Sequence, residues 1–153
     1  MVTITITICL LITPFTIAFL HSSIIYNKHS ASVYANYFIV GNISIMSLIN
    51  SYAYLIYGDY ISKFQGWPFS PAIFELGIFQ LCLLILSVIA IFKGPQFKAA
   101  CLIFFSFFII LNSINLAFNT TPNTEIKTLV CLGLLQGFIS YFFYRKLVKT
   151  YKE

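Results

Sequence analysis

The chain has 153 residues, of which 59% are apolar, 18% aromatic and only 8% charged, with a formal net charge of +5. A soluble domain carries about 25% charged residues because its surface faces water. Nine basic and four acidic side chains cannot coat 17.4 kDa at a mean hydropathy of +0.91, which excludes an ordinary soluble globule and makes lipid the expected surroundings.

A membrane-crossing helix needs about 20 mostly apolar residues, a barrel strand about 10 alternating ones. The first apolar run, 3–26, has the helical length and carries Thr3, Thr5 and Thr7 at its start. No basic residue precedes it and His21-Ser22-Ser23 is a poor cleavage site, so it reads as a retained helix, kinked near Pro14, rather than a secretory signal. Asn27-Lys28-His29 closes it. The second run, 33–57, is interrupted by Asn36, Asn42, Asn50 and several serines. At about 100° per residue, Asn36, Ser44, Ser47, Asn50, Ser51, Tyr54 and Tyr57 fall within about 140° of one another. Gly58-Asp59 ends this run.

Between the second and third runs stands Gly66-Trp67-Pro68-Phe69-Ser70-Pro71, followed by Glu75-Leu76-Gly77. Two prolines fix the backbone, and tryptophan belongs at the headgroup level. The segment therefore reads as a rigid interfacial turn of Gly66, Trp67, Pro68, Ser70 and Pro71, with Ser70-Pro71 as cap and first turn of the next helix.

The third run, 71–92, carries Glu75 and Gln80, and ends at Lys93-Gly94-Pro95. The fourth, 99–118, carries Asn112 and Asn115, continuing to Asn119 as a stripe at i, i+3, i+7. Asn119-Thr120-Thr121 matches a glycosylation sequon, too close to the membrane to be used. The fifth, 128–144, carries Gly133-x-x-x-Gly137 with Ser140 and Tyr144 on the same face and Gln136 beside it. Small residues at that spacing let helices approach closely, so Gly133, Gly137 and Ser140 are expected to pack on a neighbour.

Continuous runs of this length in lipid must be helices, because only helices and closed barrels satisfy their own backbone there. The expected fold is all-α, a single transmembrane domain over 1–153 with about five spans and a basic cytoplasmic tail at 145–153. With five spans, Lys28, Lys93, Lys98, Arg145, Lys146, Lys149 and Lys152 share one side and Lys63 and Lys127 the other. The excess of basic residues marks the cytoplasm, which places the N-terminus outside and the C-terminus in the cytoplasm.

Cys9, Cys82, Cys101 and Cys131 all lie in apolar runs without a C-x-x-C pair, so they read as inert thiols, with no metal site or disulfide framework. No nucleotide, serine-hydrolase or zinc-protease motif is present, and the histidines sit apart at 21 and 29. No cofactor is implied. The expected partners are the lipid bilayer and a second copy or another component of a membrane complex. Nucleic acid is not among them, since the basic bias is a topology signal.

The Gly66-to-Gly77 segment resembles one in a family of small uncharacterised bacterial multi-pass membrane proteins. There a G-W-P-x-S-P turn precedes a helix that begins E-x-G. The family carries Phe-Gln where this chain has Ala72-Ile73, and it brings no activity with it. In size and helix arrangement the chain is also similar to DoxX-like four-helix proteins, a likeness of fold alone.

Given this orientation, Glu75, Asn50, Tyr54, Asn112, Asn115 and Gln136 fall in the outer half of the membrane. They are the candidate lining of an outward-facing polar pocket. An intramembrane carboxylate is a functional hypothesis by default, although a helix N-terminus also stabilises one. Three functions fit: a non-enzymatic accessory or structural bundle whose polar groups pack helices, a small carrier or binding protein with its pocket at Glu75, and a membrane enzyme acting on a quinone or lipid. Convergence of those six residues would favour the latter two.

Overall fold

Every long apolar run folds as helix, the form that satisfies each backbone group without water. The computed structural model describes residues 2–24, 30–65, 71–119 and 124–150. Helix α1 spans Val2–Ile24. The next span is composite: α2 (Ser30–Phe38), a π-helical stretch (Ile39–Ile45) and α3 (Met46–Ile56). Then follow α4 (Gly58–Gln65), α5 (Pro71–Phe92), α6 (Pro95–Asn119) and α7 (Thr124–Thr150). No strand occurs among the described residues. Five of the helical stretches are long and apolar enough to cross a membrane. The all-α bundle is thus compatible with a multi-pass membrane protein.

Several boundaries differ from the sequence expectation. α6 starts at Pro95, not 99, and its first turn includes Lys98. α7 continues through Arg145 and Lys146 to Thr150, so most of the expected tail is helix. Basic residues at a helix C-terminus complement its negative end and favour that extension. α4 occupies what looked like a break. Asp59 in its first turn and Lys63 in its last match the helix dipole, and Ser62 bonds back to the Asp59 carbonyl at 2.8 Å.

α6 and α7 form an antiparallel hairpin, and α3 packs mainly on α5. α1 and α2 join the other end, where α2 meets α7. The core lies at this second meeting point. Phe38, Ile39, Ile43, Leu102, Phe105 and Leu147 are buried there with Leu11, Ala90 and Phe143. Phe143 stacks on Phe15 at 5.7 Å and tilts against Phe38 at 5.6 Å. His21 meets Tyr37 at the margin of this core, with 3.0 Å between Nδ1 and the phenol oxygen. Exposed Leu20, Ile56, Phe74, Phe92, Phe118 and Phe138 leave the outside of the bundle apolar, the surface a bilayer covers.

Proline 14 sits inside α1, which continues through it as one helix. The ring is buried and lies where a side chain on Gly41 would stand. Gly41 belongs to the π stretch. Its lack of a Cβ permits the close approach of the two backbones.

Candidate functional site: a polar seam along the second span

A π-helix bonds from i to i+5 and turns less than about 100° per residue, so it rotates everything before it relative to a regular helix. Asn42, which a uniform helical wheel sets apart from the polar face, is thereby fully buried together with Ser44, Ser47 and Ser51. Ser44 supports the altered winding, donating to the Ile39 carbonyl five residues back at 3.2 Å.

Partners reach this seam from two directions. From α7, Gln136 Nε2 donates to Asn42 Oδ1 at 3.1 Å. From α5, the Ser87 and Ser44 hydroxyls lie 2.8 Å apart. Ser87 and Ser51 also bond carbonyls in their own helices, Leu84 O at 2.8 Å and Leu48 O at 2.9 Å. Among the described residues, three buried polar atoms have no hydrogen-bond partner: Asn36 Oδ1, Asn42 Nδ2 and Ser47 Oγ. All three belong to the second span, and one of them is the free end of the Asn42 amide.

The hairpin of α6 and α7 is joined differently. Ser106 Oγ donates to the Gly137 carbonyl and Ser140 Oγ to the Leu102 carbonyl, each at 2.8 Å. Gly133, Gly137 and Ser140 are buried. A Cβ on Gly133 would collide with the Ser113 hydroxyl, and one on Gly137 with Ile110 and Ile109. Between helices of an apolar bundle, such hydrogen bonds contribute about 0.6 kcal/mol each on average.

The six candidate pocket residues differ in burial. Glu75 is exposed on α5 and Asn115 on α6. Asn50, Tyr54 and Asn112 are half-buried, and Gln136 is buried in its bond to Asn42 rather than turned toward Glu75. α5 meets α3 through Gly77, whose Cβ position lies 2.8 Å from the Leu55 side chain and 3.2 Å from that of Tyr54. Glu75 is two residues from Gly77, hence about 160° around the helix. The signal was available: Gly77, Gln80, Ser87 and Ala90 are all buried, and their small or polar character at spacings of 3 and 7 marks the inner face. Glu75 thus stands on the opposite side of α5 from its contact with α3. Gly66, Trp67, Pro68 and Ser70 of the expected turn lie outside the described residues, while Pro71 opens α5 and is exposed.

The seam contains amides and hydroxyls but no ionisable group. No carboxylate or histidine is buried among the described residues, and no cluster of three metal-ligating side chains occurs among them. Cys9, Cys82 and Cys131 are exposed and Cys101 is buried, all as free thiols. What this arrangement offers is directional hydrogen bonding between helices.

No curated protein and no solved structure matches the chain. The pattern of DUF6790, a family of unknown function, matches residues 3–135. That range takes in the composite second span, Gly77 and Gly133, and the chain therefore belongs to DUF6790.

Proposed function

We propose that the protein is a non-enzymatic helix bundle of the bacterial cytoplasmic membrane, an accessory or assembly component with its N-terminus outside and its C-terminus in the cytoplasm. The observation that carries this reading is the division of its polar groups. Buried serines and amides bond across helix interfaces, whereas Glu75, the group a carrier or enzyme would turn on, is exposed. Lying in the second turn of α5, it is within reach of water and of the helix's positive end, a comfortable place for a carboxylate without a task.

The orientation is supported by charge. Lys93, Lys98, Arg145, Lys146 and Lys149 gather at one end of the bundle, and Asp59, Lys63, Glu75, Glu125 and Lys127 at the other. Basic residues retained on one side mark the cytoplasm.

The test is complementation of a deletion strain. Glu75→Gln and Glu75→Ala should accumulate as folded protein and restore the wild-type phenotype. A Glu75→Gln protein that folds normally but fails to complement would restore the carrier and enzyme readings.

A further inference from the structure

Eight serines are buried among the described residues, and seven of them make a hydrogen bond. Ser51, Ser62, Ser87 and Ser113 bond carbonyls of their own helices. Ser106 and Ser140 bond across the α6–α7 hairpin, and Ser44 bonds both its own span and Ser87. Ser47 is the exception. It is 1% exposed, and its hydroxyl meets no partner. A helical serine can reach a carbonyl of its own preceding turn by a change of rotamer, so a buried hydroxyl that forgoes that bond is directed elsewhere.

A second such group stands five residues earlier. Asn42 is 0% exposed, its Oδ1 accepts from Gln136, and its Nδ2 has no acceptor. Reversing both amides only moves the deficit to Asn42 Oδ1, because one bond cannot serve a group with two donors and an acceptor. Five residues of regular helix set two side chains about 140° apart. The slower winding of the π stretch, which holds Asn42, reduces that angle, and Ser47 leans toward the N-terminus of its helix, hence toward Asn42. Between them in the chain is the Ile43 carbonyl, which accepts from the Met46 N–H and keeps a second lone pair. Asn36, the third residue with an unpaired atom, is half-buried and stands outside the π stretch.

We propose that a resident water molecule is bound between the Asn42 amide and the Ser47 hydroxyl, as a fixed ligand of the polar seam. Water accepts from Nδ2, bonds the hydroxyl and donates to the Ile43 carbonyl, which gives it the about three partners that an internal water takes. No ionisable side chain is buried in the seam, so the ligand is neutral, and with both side chains at most 1% exposed it is small. Asn42 lies near the middle of the apolar stretch Ser32–Ile56, which holds the molecule near the bilayer centre, away from bulk water. This inference is independent of the accessory role proposed above.

The test uses the full chain in detergent with its asparagines labelled by 15N. The Asn42 side-chain amide is identified as the signal lost in Asn42→Leu. Its protons should show cross-relaxation with water of opposite sign in the laboratory and rotating frames, the mark of a bound molecule rather than of proton exchange. Ser47→Ala should abolish that contact and lower the melting temperature by about 2–4 °C, the shift that one lost buried hydrogen bond gives a chain of this size. Ser51→Ala, which removes a hydroxyl bonded to its own helix, should leave the contact in place. A hydroxyl without any ligand predicts the reverse for Ser47→Ala, because removing an unbonded buried polar group stabilises. An equal or higher melting temperature for Ser47→Ala, or no water contact at Asn42 in the wild-type protein, would overturn the proposal. Should Ser47→Ala not fold, the wild-type contact decides alone.

Discussion

The ring of Pro14 occupies the space that a side chain on Gly41 would need. A rigid pyrrolidine in α1 and a bare Cα in the π stretch are thus two halves of one contact. Gly41→Ala forces a methyl group against a ring that cannot rotate away, and overpacking of this kind costs about 1–3 kcal/mol. Gly133→Ala meets the Ser113 hydroxyl instead, which can turn aside at the loss of its 2.7 Å bond to the Ile109 carbonyl, about 1 kcal/mol or less. Melting of both variants in detergent should therefore rank Gly41→Ala as the more damaging, and the reverse order would refute the Pro14 contact as a constraint.

Gln136 and Asn42 form a pair that is worse broken than absent. Gln136→Leu leaves the Asn42 amide buried without its partner and should cost about 1–3 kcal/mol. Replacing both by leucine removes the orphan, so the double variant should be more stable than the sum of the single effects implies. A double-mutant cycle should yield a coupling near 0.6 kcal/mol and below about 2. Strict additivity would mean that the bond is not formed in the membrane.

Gly137 has two duties, leaving room for Ile110 and Ile109 and offering its carbonyl to Ser106. Gly137→Leu should therefore sharply reduce the yield of folded protein. Ser106→Ala removes only the hydrogen bond and should cost about 0.6 kcal/mol. The contrast separates close approach from hydrogen bonding as the source of hairpin stability. Equal, small effects would count against the packing role.

Membrane orientation is open to direct measurement. Reporters that are active only in the cytoplasm, or only outside it, fused after Glu153 should give a cytoplasmic signal and no external one. The opposite pattern would overturn both the orientation and the odd number of spans.

The five long helices were legible in the sequence because lipid leaves the backbone so little choice: uninterrupted apolar length is nearly the whole instruction. The ends were less so, since charge was taken as the edge of a span. Lys98 lies inside α6, its stem covered by apolar neighbours and its amine leaning outward, and Arg145 and Lys146 extend α7 instead of ending it. Two geometric features of the candidate site were not legible in the sequence. One was rotation: nothing about Glu75 itself says which way α5 is turned, although the small and polar residues at 77, 80, 87 and 90 do. The other was pitch. A uniform wheel has no place for a π stretch, so Asn42 fell outside the polar arc of its helix, and the amide pair with Gln136 was hidden with it.

In the α6–α7 hairpin both acceptors are main-chain carbonyls, those of Leu102 and Gly137, while both donors are serine hydroxyls. A carbonyl is present whatever residue stands there, so only the donors at 106 and 140 must be spelled out by the gene. Position 102 is free to drift among apolar residues that fill its volume without disturbing the bond it accepts. Position 137 is held to glycine by space alone. Two serine hydroxyls, with the space left at Gly133 and Gly137, thus join two long helices that otherwise meet largely through apolar side chains.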